Sequence, residues 1–532
     1  MDRRTIIATL LMILIYAGYL YFFGGTEQPP APSKRGVPLP REEKTGPPRL
    51  KKTGLRPPPR GFLPTARLGL KERELLVETD LVMVTLSSRG GTVKSWQLKN
   101  YIGPDGRPVD LVAPGTPLYP LRSWAEEEGE ASELYIVEGE GLRLVSPGEK
   151  GTVAFTYITP SGLKIKKSMV FYQGDYRATV RLEVRNLGAE ERTTTPRLVW
   201  GSGFRHSQDE KAATPKGLTT WADDKRITDD LEKIQGTVTH GGTVAWTAIH
   251  DNYFAAVLIP QGQGASAFVS KDQRGQPSAG LAGRLRQLGR AEESFEEFLI
   301  YAGPKELDRL QGIGQNLEQL VDLGWFDFLA RPALYILKFL YRYTRNYGLA
   351  IIVLTVFIKV LFHPLTHKSL KSMQEMQTLQ PKIAALREKY RNNPQKLNQE
   401  TMELYRRHNV NPFGGCLPLV LQIPIFIALY NALSSAVELW RAPFVFWIRD
   451  LSAKDPYYIL PILMGVSMFV QQKMTPTAGD PRQAQMMLLM PIIFTFMFLN
   501  FPSGLVLYWL VNNVLGIGQQ YWINKRVALK TG

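Results

Sequence analysis

Lys359 is the residue whose place in the chain most needs a chemical explanation. It stands between Ile358 and Val360 inside the apolar run 348–362. A lysine at the centre of a membrane span costs about 2.5–3.5 kcal/mol on insertion scales. Two readings of it are open. His363 is four residues on, about 6 Å of helix at 1.5 Å per residue, so the ammonium could snorkel to headgroups. Alternatively it serves a wet cavity. Thr355, Gln422, Asn431, Asn500, Tyr508, Asn512, Asn513, Gln519 and Gln520 also lie in or at the edges of apolar runs. Buried amides need partners or water inside a bilayer, and a cavity reached from the cytoplasm satisfies them together with Lys359. No carboxylate falls within any of these runs, which is poor material for a proton relay.

Other chemistries find little support. The single cysteine, Cys416, excludes an intramolecular disulfide and a cysteine-rich metal site. There is no Gly-x-x-x-x-Gly-Lys phosphate loop, and the Gly-x-Gly pairs at Gly201, Gly262 and Gly312 lack a dinucleotide context. His206, His240 and His250 fall in a β-patterned region and leave an enzyme as one alternative, though a structural histidine is the simpler reading. A transporter or channel is another, but inverted repeats are not visible. No cofactor or metal is expected.

The elements that must position Lys359 follow from the pattern of the chain. Its 532 residues carry 64 Lys and Arg against 48 Asp and Glu, a net charge of +16. That surplus suggests anionic partners, nucleic acid or lipid headgroups. Residues 1–23 hold an apolar stretch behind Arg3 and Arg4 and read as an uncleaved transmembrane anchor. Residues 24–60 are a linker rich in Pro, Lys and Arg. Region 61–303 turns to period two: Val180, Leu182 and Val184 alternate with Thr179, Arg181, Glu183 and Arg185. The continuously apolar 254–259 suits an inner strand, and the whole suggests a large antiparallel sandwich. Region 304–345 is helical. Trp325, Phe328, Leu329, Leu334, Leu337, Leu340 and Tyr341 fall on one face opposite Arg331, Lys338 and Arg342, the pattern of an interfacial helix.

Five further apolar runs, 348–362, 416–437, 457–470, 486–499 and 505–522, lie within 346–525. With the anchor they make six transmembrane helices, before a short tail at 526–532. Between the second and third spans, 363–415 carries nine cations and is placed in the cytoplasm. Parity then puts both termini inside and the β region outside. Within that loop a helical hairpin, 364–411, recurs apolar at helical spacing, and Asn393-Pro394 suits a helix start. Its Met-rich face is either adaptable binding surface or is buried between the two helices.

Several strings are long and specific. Asn411-Pro-Phe-Gly-Gly-Cys416-Leu-Pro, Gln422-Ile-Pro-Ile-Phe426, Asp450-Leu-Ser-Ala-Lys-Asp-Pro-Tyr-Tyr458 and Phe501-Pro-Ser-Gly-Leu-Val-Leu-Tyr508-Trp resemble the YidC/Oxa/Alb family of membrane protein insertases. The anchor and outer β region resemble its Gram-negative form. The resemblance implies a polytopic α-helical membrane protein with six transmembrane helices, five forming the insertase core, plus a large periplasmic all-β supersandwich domain. It implies a hydrophilic groove open to the cytoplasm, in which Lys359 holds a position where many members have Arg. Thr355, Gln422, Tyr508 and Trp509 match other groove positions, and Asn500 stands at a groove site that is often Trp. Phe426, Phe494, Phe496 and Phe498 match apolar faces along which a substrate segment slides. The implied partners are nascent membrane proteins, the SecYEG translocon with accessory Sec proteins, the ribosome and the lipid bilayer, with no direct nucleic-acid contact. The implied location is the bacterial inner membrane.

Overall fold

The computed structural model describes Thr65 and residues 69–113, 115–116, 119–201, 204, 217–272, 275–408, 410, 417–474 and 481–531, with the backbone alone at 374, 417–421, 481–487 and 524–531. The expected anchor and linker, 1–60, lie outside the described residues, as do His206 and Cys416.

Alternation of apolar and polar side chains gives the first part of the described chain its sheets. Six of its strands matter below: β1 (Val82–Ser87), β2 (Thr92–Ile102), β3 (Leu163–Tyr172), β4 (Arg177–Asn186), β5 (Phe254–Pro260) and β6 (Glu293–Pro304). Strand β4 buries every second residue and runs antiparallel between β3 and β6, with Thr179 facing Val170 on one side and Leu299 on the other. Together they belong to a nine-stranded sheet. In the same sheet the uniformly apolar β5 is buried along its whole length and paired on both edges. The turn from β1 to β2 passes through Gly90 and Gly91, both at positive φ, and a Cβ on Gly90 would stand 2.1 Å from the Ala131 carbonyl oxygen. Only glycine fits so close an approach.

The sheets pool one core. Trp96 of β2 packs against Trp200, ring centroids 5.9 Å apart, and against Phe171 of β3 at 6.0 Å. The inward alternation of β3 also carries Lys167 into this interior, where its Nζ donates to the carbonyls of Gly90 (3.3 Å) and Leu121. Burial pushes its ammonium down to about 7.

The rest of the described chain is helical: α1 (Leu307–Ile313), α2 (Asp327–Thr344), α3 (Tyr347–Thr378), α4 (Gln380–Lys389), α5 (Pro394–Arg407), α6 (Leu417–Ser435), α7 (Ile459–Met474), α8 (Pro481–Phe498) and α9 (Ser503–Thr531). Helix α2 departs from the single apolar face expected of it. Ala330, Leu334 and Leu337 are buried, whereas Trp325 and Phe328 are 96% and 70% exposed, with Phe339 and Tyr343 exposed as well. The helix has an aliphatic face turned inward and an aromatic one turned outward, because α3 and α6 pack on the first. Lys338 bridges Glu438 at 2.6 Å and Asp308 at 3.1 Å.

Helix α3 starts at an Asn346 cap, whose side chain accepts the Leu349 amide at 3.1 Å, and continues through Pro364 into the hairpin. Asn393 caps α5 as its Asn-Pro pair predicts, accepting the Lys396 amide at 3.1 Å. Met376, Leu379, Ile383, Tyr405 and Val410 form a small separate core, so the methionine-bearing face is largely turned inward between the hairpin helices. Among the described residues one helix, α3, is long and apolar enough to cross a membrane; Ile459–Met474 and Leu488–Phe498 are shorter apolar helices.

The connection between α6 and α7 is keyed onto the sheets. Trp440 Nε1 donates to the Ile102 carbonyl at 2.9 Å, its ring lies against Tyr253 and Phe254, and the Arg441 guanidinium donates to the Gly103 carbonyl. Asp455, 1% exposed, then organises the start of α7 by accepting from Tyr457 N, Leu460 N and Trp447 Nε1 at 2.7–3.1 Å. This accounts physically for the Asp-Pro-Tyr-Tyr string.

Candidate functional site: a polar column between three helices

Helix α9 packs against α3, α7 and α6, and its polar residues meet polar residues on two of those neighbours. Asn513 Nδ2 donates to Ser467 Oγ of α7 at 3.1 Å, both side chains buried. Two turns further along, Gln520 Nε2 donates to the Met474 carbonyl at 2.6 Å. Between them lies Gly516, where a Cβ would stand 2.7 Å from Gln471 Nε2 of α7 and 3.5 Å from Lys359 Nζ of α3. One turn beyond Lys359, His363 Nδ1 and Gln519 Nε2 are 3.0 Å apart. Ser467, Gln471 and Met474 follow at helical spacing on α7, as do Thr355, Lys359 and His363 on α3. The result is a polar column running along the seams of α3, α7 and α9.

Within that column Lys359 is half-buried, and no carboxylate among the described residues pairs with it. Its ammonium and the Gln471 amide of α7 both border the space over Gly516. An unpaired cation among neutral dipoles in a low-dielectric bundle attracts an acidic group strongly, and the neighbouring amides can hydrogen-bond a peptide backbone.

The other expected site residues divide between polar and aromatic surroundings. Thr355 is buried, and its hydroxyl bonds to the Ile351 carbonyl of its own helix at 2.7 Å. Tyr508 is 2% exposed in the core, and Gln422 is half-buried on α6. Trp509 lies two turns before Gly516 on the same face of α9, where that face meets rings instead of polar groups. Its ring stands 4.7 Å edge-on from Phe426, 6.0 Å from Phe494 and 5.2 Å from Phe498. Tyr430 and Phe501 extend this cluster, which ties α6, α8 and α9 together. Three of the four phenylalanines expected on the sliding face are thus packed with Trp509, while Phe496 is 68% exposed. Asn500 is exposed just past the end of α8.

Sequence reasoning passed over Ser467, Gln471 and Gly516. Ser467 lies within the apolar run 457–470 and Gln471 just past its end, and their i, i+4 spacing puts them on one helical face. Gly516 carries no signal until the three helices are assembled.

Among the described histidines of the β region, His240 and His250 are held by hydrogen bonds within the sheets. His250 Nε2 lies 3.0 Å from Thr219 Oγ1, and burial, with Lys305 nearby, holds its imidazole down at about 3, hence neutral. His240 bonds to Asp229 at 2.9 Å.

Residues 339–530 match the family described as 60Kd inner membrane protein, and residues 74–336 match the YidC periplasmic domain. The membrane protein insertase YidC of Geotalea uraniireducens (strain Rf4) is 42% identical over 99% of each chain. That of Geobacter sulfurreducens is 41% identical, again over 99% of each chain. A solved structure described as an active YidC insertase aligns with 85% of this chain and 93% of its own at 20% identity, with a TM-score of 0.38. It is the sequence matches, full-length at about 40% identity, that identify the relationship: the chain belongs to the YidC membrane protein insertase family.

Proposed function

We propose that this protein inserts nascent membrane proteins into the bacterial inner membrane and helps them fold, without catalysing a chemical reaction. The observation that carries the mechanism is the convergence of Lys359, Gln471 and Gly516 from three helices in one polar column. A client must move a polar tail across a layer where each unsatisfied backbone group costs several kcal/mol. A hydrated column reached from the cytoplasm shortens the dry part of that path. Lys359 attracts acidic residues of the tail, and Asn512, Asn513, Gln519 and Gln520 offer hydrogen bonds in place of lost water. The client's apolar segment leaves along α6 and α8, where Phe496 is open to lipid, while Phe426, Phe494, Phe498 and Trp509 form the stiff wall behind it. This gives the aromatic residues a supporting role and reserves Lys359, Thr355 and Gln422 for the wet side. It leaves Tyr508 as core packing and Asn500 as a rim residue.

The topology that goes with this reading has six membrane helices, both termini inside, and the β-supersandwich in the periplasm. The anchor is 1–23, the linker 24–60, the periplasmic domain 61–303, the connecting and interfacial helices 304–345, the core 346–525 with its hairpin 364–411, and the tail 526–532. In support, the exposed aromatic face of α2 suits the outer interface. Work beside the Sec translocon and transient contact with the ribosome belong to the same reading.

The test is solvent mapping. With Cys416 replaced, single cysteines at positions 471, 512 and 519 should react with a membrane-impermeant maleimide added from the cytoplasmic side, and a cysteine at 496 should not. Equal protection at all four positions contradicts a wet column.

A further inference from the structure

Lys359 reaches the column over a gap that a single missing side chain creates. A Cβ at 516 would lie 2.7 Å from the Gln471 amide nitrogen, closer than side-chain carbons approach one another, and 3.5 Å from the Lys359 ammonium. Gly516 is buried and lies in the long helix α9, where glycine is otherwise unfavourable by about 1 kcal/mol relative to alanine. Its φ is not positive, so backbone conformation does not demand glycine there. Space does. Gly518, two residues on in the same helix, has nothing within 4 Å of its Cβ position and is exposed.

We propose that Gly516 is a positioning residue for insertion: the space over it leaves room for the Gln471 amide and the Lys359 ammonium together, and so sets where the cation meets a client's acidic residues. This rests on the reading of Lys359 as a client-facing group. The obstruction at 516 is the free end of a flexible side chain, so an alanine displaces the amide without breaking the helix packing. The displaced amide nitrogen, a donor like the ammonium, crowds Lys359 and moves the cation from its place. The effect falls on acidic clients rather than on stability.

The experiment compares two clients, one with an acidic and one with a neutral translocated tail, in cells depleted of the resident insertase and supplied with full-length variants. Gly516→Ala should lower insertion of the acidic-tailed client about threefold to tenfold, the range of one side chain forced off its rotamer, and leave the neutral one unchanged. Gly518→Ala should change neither. Shortening the obstructing side chain in the double variant Gly516→Ala with Gln471→Ser should return most of the acidic-client activity, which a general packing defect would not allow. Loss on both clients without recovery in the double variant overturns the proposal, and so does full activity of Gly516→Ala on the acidic client. Lys359→Glu runs alongside. If that variant also inserts the acidic client normally, the client-facing reading of Lys359 falls; if it is blocked while Gly516→Ala is not, only the positioning claim falls.

Discussion

Trp509 of α9 meets Phe426 of α6 edge-on, ring centroids 4.7 Å apart, two helical turns, about 10 Å, before the Gly516 that borders Lys359. One helix therefore has two jobs. Its stretch through Asn513, Gly516 and Gln520 closes on polar groups of α3 and α7, and its Trp509 end closes on aromatic rings of α6 and α8. A charged client tail and an apolar client segment need opposite environments, and this division supplies both within one bundle.

The aromatic wall should be structural at its centre and functional only at its edge. Trp509→Ala removes the ring shared by Phe426, Phe494 and Phe498 and should cost about 3 kcal/mol or more, read as a lower unfolding temperature in detergent. Phe496→Ala, on an exposed ring, should leave that temperature unchanged and reduce crosslinking of a stalled client at neighbouring positions of α8. If Phe496→Ala destabilises as much as Trp509→Ala, the edge-and-centre distinction is wrong.

The β domain should be mechanically keyed to the core but not required for insertion. Removing residues 61–303 takes away the carbonyls of Ile102 and Gly103 that hold Trp440 and Arg441. Amide exchange across 436–458 should then rise, while client insertion continues. Loss of insertion with a folded core would instead make the outer domain the active part, as the enzyme reading requires.

Lys167 should make the β domain more stable as pH rises from neutral. Its folded-state value is about 7 against an ordinary 10.5. Below the first value both states carry the proton. Between the two, only the unfolded chain does, so folding gains stability with increasing pH across that window. Thermal unfolding followed by tryptophan fluorescence should show a rising midpoint from pH 7 to about 9, and Lys167→Met should flatten the slope. A slope unchanged in Lys167→Met assigns it to other groups.

Local pattern made much of this architecture legible, and assembly explains the remainder. The alternation at 177–186, the uniformly apolar β5 and the Asn393 cap each announce an element whose cause is short-range. Lys359 was visible for the same reason, as a charge in an apolar run. Which side of a helix a residue faces depends on its neighbours. Trp509, expected as a groove residue, packs with the rings, and Trp325 and Phe328, expected on one interfacial face with Leu334 and Leu337, are exposed while those two are buried. Gly516 shows the limit most sharply, since its meaning is the emptiness left for groups from two other helices.

The central claim, that the Lys359 cation in the column acts on acidic client tails, is tested most directly by charge reversal. Insertion of one client, carrying either an acidic or a basic translocated tail, is measured in insertase-depleted cells supplied with the native chain, Lys359→Arg or Lys359→Glu. The account predicts that Lys359→Arg retains insertion, that Lys359→Glu loses the acidic-tailed client, and that the basic-tailed client recovers in Lys359→Glu. Full insertion of the acidic-tailed client by Lys359→Glu would contradict it.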